Sequence, residues 1–180
     1  MRVLEQVLTD YDIKEIKPVE LAAATHFVMD IVREVFPMLD PNELPPDMAR
    51  FQEVYYKAKD AAFLAAFDRD GTIAATAAFL PYDDRIPEIK GMYTARPTAE
   101  LVKCYVNPQL RRQGVGTAMV RQLLPLARAK GYETMYLHTH RFLPGAVGFW
   151  EAQGFELRLE PHDNWQTVHM DCRLAPDNMF

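Results

Sequence analysis

The residues best suited to chemistry lie in Arg111-Arg112-Gln113-Gly114-Val115-Gly116, which follows an apolar run ending at Asn107-Pro108. The proline predicts the end of a strand, and the two glycines predict the start of a helix. The first N–H groups of a helix have no intrahelical partner, and the helix dipole makes that end positive. This strand-to-helix junction therefore predicts an anion site, and we expect a compound that carries phosphate to bind there.

The elements that must position this junction alternate between strands and helices. Apolar residues at every second position indicate strands, and spacings of three and four indicate helices. The predicted strands are 11–16, 61–67, 72–80, 101–106, 134–139 and 165–174, and the predicted helices are 19–36, 48–59, 115–130 and 144–153. Asp70-Gly71 predicts a hairpin, and Pro81 to Thr98 predicts a long loop. This order predicts a single domain over 1–180 with an α/β (α+β) fold, a mixed, mostly antiparallel sheet and helices on both faces.

Composition narrows the class of protein. The chain has 180 residues, 49% of them hydrophobic and 25% charged, which is typical of one soluble domain with a sizeable core. The net charge of −5 argues against a nucleic-acid partner and mildly favours an amine-bearing one, although an acidic surface is common without any such partner. No apolar run has the length of a membrane span, and Glu5 interrupts any signal peptide, so we expect a cytoplasmic protein without a membrane partner.

Cysteines and histidines do not predict a metal site. Cys104 and Cys172 form no metal-type pair, and a single disulfide is not expected in a reducing compartment. His138 and His140 lie two apart on one predicted strand and so face the same side, but the sequence shows no third ligand. We expect no metal, and these histidines either contact a substrate or form a solvated strand face.

The junction fits the pattern Gln/Arg-x-x-Gly-x-Gly/Ala, and Gly148-Phe149-Trp150-Glu151-Ala152-Gln153-Gly154-Phe155 follows downstream. The strand Tyr136–His140 lies between the two motifs. Together these residues resemble the GNAT family of N-acetyltransferases, in element order from Tyr11 to Leu174 and most closely from Glu100 to Phe155. The resemblance implies the GNAT fold, with about six to seven strands, and acetyl-coenzyme A as the cosubstrate.

The same resemblance implies where coenzyme A binds. Backbone N–H groups from Gln113 to Thr117 would hold the pyrophosphate, because glycines let phosphate approach the backbone. The pantetheine arm would lie along the end of the preceding strand, where a neighbouring strand splays away. Arg111 and Arg112 would add positive charge or form only a solvated basic turn. The coenzyme-binding residues implied are Cys104, Tyr105, Val106, Arg111, Arg112, Gln113, Gly114, Val115, Gly116, Thr117 and Trp150.

Two residues are candidates for catalysis. An amine must lose a proton to attack a thioester, and Glu100 is the candidate base because many members of the family carry Glu there. Strand alternation predicts that its side chain shares a face with Val102, Cys104 and Val106. Solvent exposure or a salt bridge to Lys103 is the open alternative for Glu100. The Val106 amide is implied to face the thioester carbonyl and to stabilise the charge that develops there.

The sequence departs from the family at the proton donor. Trp150 stands where members usually carry a tyrosine, and Leu143 stands where an asparagine is frequent. An indole N–H donates a hydrogen bond but does not release its proton near neutral pH. Either the thiolate leaves unaided, or Tyr105, Tyr136 or His140 substitutes.

Three functions stay open at this point. The first is an acetyl-coenzyme A-dependent N-acetyltransferase that acts on a small molecule or an exposed amino group by direct attack in a ternary complex. The second is a non-catalytic domain that binds or senses coenzyme A, which Trp150 favours. The third is O-acyl or longer-acyl transfer, which the same fold can host. An acetyl-carrying Cys104 is less favoured, and a homodimer is an open assembly because members of the family are often dimers.

Overall fold

The computed structural model describes residues 6–7 and 10–174. Residues 1–5, which include Glu5, residues 8–9 and the tail 175–180 lie outside the described residues. The α-helices include α1 (Leu21–Val35), α2 (Pro46–Ala49), α3 (Val115–Ala129) and α4 (Ala146–Ala152). The strands are β1 (Asp12–Glu15), β2 (Ala62–Phe67), β3 (Ile73–Pro81), β4 (Thr98–Val106), β5 (Thr134–His140), β6 (Glu156–Leu159) and β7 (Thr167–Arg173).

The strands form one seven-stranded sheet in the order β1-β2-β3-β4-β5-β7-β6. Only β4 and β5 pair in parallel within this sheet, and the other neighbours are antiparallel. The predicted mixed, mostly antiparallel sheet is therefore confirmed. The β2–β3 hairpin turns at Gly71, whose φ of +79° suits glycine because it has no Cβ.

Helices cover both faces of the sheet, as predicted. On the α3 face, residues such as Leu123 and Met119 pack against Leu101 and Met135 in one buried cluster. On the α1 face, Val28 and Val32 pack with Phe51 and Phe63 in a second cluster. The sheet is therefore buried on both sides, which explains the nearly continuous burial of β2 and β3.

Two sequence predictions of secondary structure were wrong. The single helix over 48–59 is broken at Arg50, and a π-helix over Gln52–Lys57 follows. Its wider turn places Phe51 and Tyr55 together on Phe63, with ring centroids 5.2 and 5.3 Å away. The short strand β6 was missed because three of its four residues are exposed, so no apolar run marks it.

A β-bulge at Lys103 changes the faces of β4. The register with β3 shifts by one residue between Val102 and Tyr105, and Lys103 has a φ of +53°. Val102 and Tyr105 consequently pack on the α1 face, whereas Leu101, Cys104 and Val106 pack on the α3 face. The prediction that Glu100 shares a face with Cys104 and Val106 was therefore wrong, because simple alternation stops at the extra residue.

Candidate active site at the opening between β4 and β5

The central feature of the site is a gap in the sheet. Parallel pairing of β4 with β5 runs only from Thr98↔Thr134 to Glu100↔Tyr136. Beyond that point β4 continues to Val106 and β5 continues to His140, so the two strands diverge. Such a gap leaves backbone groups on the inner edge of β4 available to a ligand.

The Val106 amide points into this gap. The next residue, Asn107, donates its N–H to the Ala74 carbonyl of the opposite neighbour at 2.9 Å. Adjacent residues of an antiparallel pair alternate between pairs that exchange hydrogen bonds and pairs that do not. Val106, which lies opposite Ala75, therefore directs its N–H away from β3 and toward the opening.

The strand-to-helix junction lies directly beyond this strand. Asn107 accepts a hydrogen bond from the Gln109 N–H at 3.0 Å and so starts a short turn. Gly114 precedes α3 with a φ of +88°, and the Ala118 N–H donates to its carbonyl at 2.9 Å. The N–H groups of the first helical turn thus have no intrahelical acceptor and point out of the helix end. Arg111, Arg112 and Gln113 are exposed around them.

Gly116 and α4 pack closely beside the junction. A Cβ added to Gly116 would lie 3.3 Å from Phe149 Cζ and 3.4 Å from Val106 Cγ2. Phe149 is half-buried and faces this contact, whereas Trp150 is 7% exposed and packs on Phe155 in the core. Gln153 donates a hydrogen bond to Thr117 Oγ1 at 3.3 Å and links the two helices. The structure thus gives Trp150 a packing role.

On the α1 face, Glu100 lies at the bottom of the gap with none of its surface exposed. Arg85 donates from Nη2 to Glu100 Oε1 at 2.9 Å, and its Nη1 lies 2.7 Å from Oε2. His138 Nδ1 lies 3.6 Å from Oε1. Lys103 does not pair with Glu100, and Glu100 is not in solvent, so both alternatives considered for it from the sequence were wrong.

Lys103 instead forms an ion pair with Asp47. The Lys103 Nζ lies 2.9 Å from Asp47 Oδ1, with side chains only 12% and 15% exposed. Tyr55 donates its hydroxyl to Asp47 Oδ2 at 2.6 Å. These contacts fasten α2 and the π-helix to the bulge of β4. Burial and the Asp47 carboxylate raise the pKa of Tyr55, so its phenol stays protonated.

The histidines near Glu100 are neutral at pH 7. Burial, followed by the charges of His140, His169, Arg85 and Lys103, lowers the pKa of His138 to about 4. Burial also lowers the pKa of His140, whose Nδ1 donates to the Trp165 carbonyl at 2.9 Å, and that of His169. The imidazole rings near Glu100 therefore add no positive charge to this region at pH 7.

A family model described as "Acetyltransferase (GNAT) family" matches residues 25–155. The chain belongs to the GNAT family. It is 31% identical over 131 residues to N-acetyltransferase 8 of Rattus norvegicus, a match that covers 73% of this chain and 55% of that protein. Its identity to N-acetyltransferase 8 of Homo sapiens is 27% over 110 residues, which covers 61% of this chain and 45% of that protein. The chain thus spans about half the length of these relatives.

Solved structures show the same GNAT fold. A GNAT family acetyltransferase from Staphylococcus aureus Mu50 matches with a TM-score of 0.74 at 16% identity, over 92% of this chain and 99% of that chain. The ribosomal-protein-S18-alanine N-acetyltransferase of Escherichia coli matches with a TM-score of 0.62 at 18% identity, over 94% and 99%. The fold class predicted from the sequence is confirmed, and the family together with the names of the curated relatives supports an acyltransferase.

In this GNAT protein Cys104 is a poor nucleophile. Burial raises the pKa of its thiol to about 12, so a negligible fraction is thiolate at neutral pH.

Two candidate replacements for the missing tyrosine acid, Tyr136 and Tyr105, have raised pKa values and are therefore weaker acids than a free tyrosine. Burial and then the Glu100 charge raise the pKa of Tyr136, whose hydroxyl lies 2.8 Å from His169 Nδ1. Burial raises the pKa of Tyr105 as well.

Two grooves on the described surface lie away from the gap. One, of about 350 Å³, is lined by Phe51, Tyr56 and Lys130, among others, and the second, of about 420 Å³, includes Tyr93 and Thr98. Both lie toward the end of the sheet where β4 begins, whereas the gap opens where β4 ends. Neither groove is therefore the site described above.

Residues 6–7 and 10–174 contain no group of three His, Cys, Asp or Glu side chains placed to hold a metal ion. Within the same part of the chain, every helix is too short or too polar to cross a membrane. Sequence reasoning missed Arg85 and Asp47, since neither a motif nor a spacing links the β3–β4 loop or α2 to β4.

Proposed function

We propose that this protein transfers an acetyl group from acetyl-coenzyme A to an amine, by direct attack while both substrates are bound. The observation that carries the proposal is the position of the Val106 N–H, which faces the gap beyond the Glu100↔Tyr136 pair. The first turn of α3 starts after Gly114, and Gly116 in that turn lies against Val106. One continuous path thus offers N–H groups to a thioester oxygen and to phosphate.

The residues at the junction fit coenzyme A. Unpaired N–H groups of Gln113 to Thr117 would bind the pyrophosphate, with Arg111 and Arg112 as exposed cations beside it. Gly116 lacks a Cβ, so Phe149 and Val106 can pack closely against this first turn. Cys104, Tyr105 and Val106 would lie along the pantetheine arm. The coenzyme supplies an acetyl group activated as a thioester.

Glu100 would accept the proton that the amine must lose. It lies on the α1 face at the base of the gap, while Val106 donates from the edge of the same strand. Base and amide are thus held by one rigid element, which fixes their relative positions. His138, neutral and 3.6 Å from Glu100, can orient the carboxylate or relay the proton.

Acetyl transfer by this route needs no dedicated proton donor for the leaving thiol. Trp150 packs in the core, so the position where the family usually has tyrosine supplies no acid here. A thiol has a pKa of about 8.5, so its anion leaves far more readily than an alkoxide. Solvent can then protonate the thiolate after the acyl group has moved.

The test combines coenzyme binding with turnover. Acetyl-coenzyme A is titrated by calorimetry, and thioester consumption is followed with a panel of primary amines. We expect binding and turnover on at least one amine. Gly114→Asp should weaken binding by about tenfold or more, because its carboxylate repels the pyrophosphate. Gly131→Asp is the matched control, since Gly131 also has a positive φ of +94° but lies at the opposite end of α3.

The outcomes separate the competing functions. Binding without turnover on any amine would favour a coenzyme sensor over an enzyme. Equal loss of affinity in the Gly114 and Gly131 variants would show that the pyrophosphate lies elsewhere. Absence of any heat with the wild-type protein would refute coenzyme binding itself.

A further inference from the structure

Arg85 places a cation against the buried carboxylate of Glu100 at the base of the gap. The inference drawn from it rests on the proposed function and names the charge state of the acceptor. We infer that the acceptor enters as an ammonium ion and displaces the Arg85 guanidinium from Glu100, after which Arg85 stays paired with Asp83. Arg85 is in this sense a specificity-determining residue, which excludes acceptors that cannot replace its charge.

The burial of Glu100 makes a cation necessary. A carboxylate with no exposed surface is unfavourable unless a positive charge and hydrogen bonds compensate for its lost hydration. Among the described residues Arg85 is the cation that supplies this compensation, since Lys103 is paired with Asp47 and His138 is neutral. An uncharged acceptor that removed Arg85 would leave Glu100 without a counter-ion.

The Arg85–Glu100 pair leaves one carboxylate oxygen without a hydrogen bond, and an ammonium can supply that bond. Arg85 makes a well-formed hydrogen bond to Oε1, but Oε2 has no hydrogen-bond partner despite Nη1 at 2.7 Å. The angle at that contact is therefore poor. A primary ammonium has three N–H donors that rotate freely about the C–N bond, so it can satisfy both oxygens.

A second carboxylate, that of Asp83, can hold Arg85 after it leaves Glu100. The Arg85 Nη1 lies 2.9 Å from Asp83 Oδ1, and Asp83 is 61% exposed. The Arg85 side chain is itself 46% exposed and belongs to the long loop between β3 and β4. A small outward movement would therefore keep one ion pair while giving up the other. This exchange also activates the base, because a carboxylate released from a guanidinium accepts a proton more readily.

The test observes the Arg85 guanidinium directly. Protein labelled with ¹⁵N-arginine is titrated with n-butylammonium, the probe, and separately with n-butanol as its uncharged analogue. The Arg85 signal is identified by its loss in Arg85→Lys. Arg141 is an internal control, since it is 45% exposed and bonds Glu160 at 2.7 and 2.8 Å, but its carboxylate partner is exposed.

We expect n-butylammonium to shift or broaden the Arg85 signal and to leave the Arg141 signal in place, while n-butanol changes neither. In Glu100→Gln the Arg85 signal should start near its displaced position and respond little. An Arg85 signal that stays unchanged with n-butylammonium overturns the inference. Equal movement of both arginines, or an equal response to n-butanol, also overturns it, because the effect is then not an exchange at Glu100.

A kinetic experiment tests Asp83, the exposed ion-pair partner of Arg85. Asp83→Asn removes the carboxylate that receives Arg85, so displacement becomes harder and the KM for the best amine of the panel should rise about threefold. The kcat and the KM for acetyl-coenzyme A should not change. An unchanged amine KM, or a rise in both KM values, contradicts the inference. Failure of the proposed function is recognised separately, since acetyl-coenzyme A binding by calorimetry does not involve Arg85.

Discussion

The α3 face and the α1 face of β4 differ in the groups that they offer to a ligand, which are backbone N–H groups on the first and charged side chains on the second. On the α3 face, the junction offers backbone N–H groups beside glycines, and Gly116 contacts the apolar side chains of Phe149 and Val106. On the α1 face, two ion pairs that involve buried or nearly buried carboxylates, Arg85–Glu100 and Lys103–Asp47, join the β3–β4 loop and α2 to the strand. Backbone contacts suit a substrate that is always the same compound, whereas side chains from variable loops suit a partner that must be selected. On this basis we propose that the α3 face binds the coenzyme and that the α1 face selects the acceptor.

The largest effect should come from Glu100→Gln. The amide keeps the shape of the side chain but cannot accept the proton, so kcat should fall about 10³-fold, and most at pH values where the amine is protonated. Affinity for acetyl-coenzyme A should be retained if the two faces work separately. Glu156→Gln, at an exposed position of β6, is the control. A wild-type kcat in Glu100→Gln would show that Glu100 is not the base, and the α1 face would then have no role in proton transfer.

A smaller effect should follow Lys103→Met, which leaves Asp47 buried without its cation. We expect the free energy of unfolding to fall by about 3 kcal/mol in urea titrations. Lys14→Met is the matched control, because Lys14 pairs with Asp12 and Glu20 at the surface, and the free energy should hardly change. If both variants lost the same stability, the burial of the Lys103–Asp47 pair would not matter, and the contrast between the faces would weaken.

The smallest effect should distinguish two helical glycines on the α3 face. Gly148→Ala should stabilise the protein by about 0.5–1 kcal/mol, since its Cβ meets no atom within 4 Å and alanine favours the helix. Gly116→Ala should lose that gain, because the new Cβ lies 3.3 Å from Phe149 Cζ. Thermal unfolding of the two variants measures the difference. Equal stabilisation would show that the Phe149 side chain moves aside at little energetic cost. Close packing would then not explain why position 116 is a glycine.

The two faces also differ in how well the sequence predicts them. The glycines of the junction, the hairpin at Asp70-Gly71 and the periodic strands are local signals, and the structure confirms the elements they predicted. The divergence of β4 and β5 was expected from the family resemblance alone, and the register bears it out. These features depend on backbone conformation within short segments.

The α1 face depends on contacts between distant residues, which explains what was missed. Asp47 and Lys103 come from different elements, and Arg85 lies in a loop whose composition indicates only a turn. The bulge at Lys103 has no sequence signal, since lysine does not favour a φ of +53°. The face predicted for Cys104 and Val106 relative to Glu100 was wrong for that reason alone.

The positions of the two tryptophans give the protein a pair of optical reporters. Trp150 is buried beside Phe155 on the α3 face, whereas Trp165 is 40% exposed and its ring lies 6.0 Å from that of His140 on β5. Their fluorescence should therefore differ in wavelength and in quenching by iodide. Replacing either one with phenylalanine leaves a single tryptophan, so that changes in the core around Trp150 and at the exposed end of β5 near Trp165 can be followed separately by fluorescence.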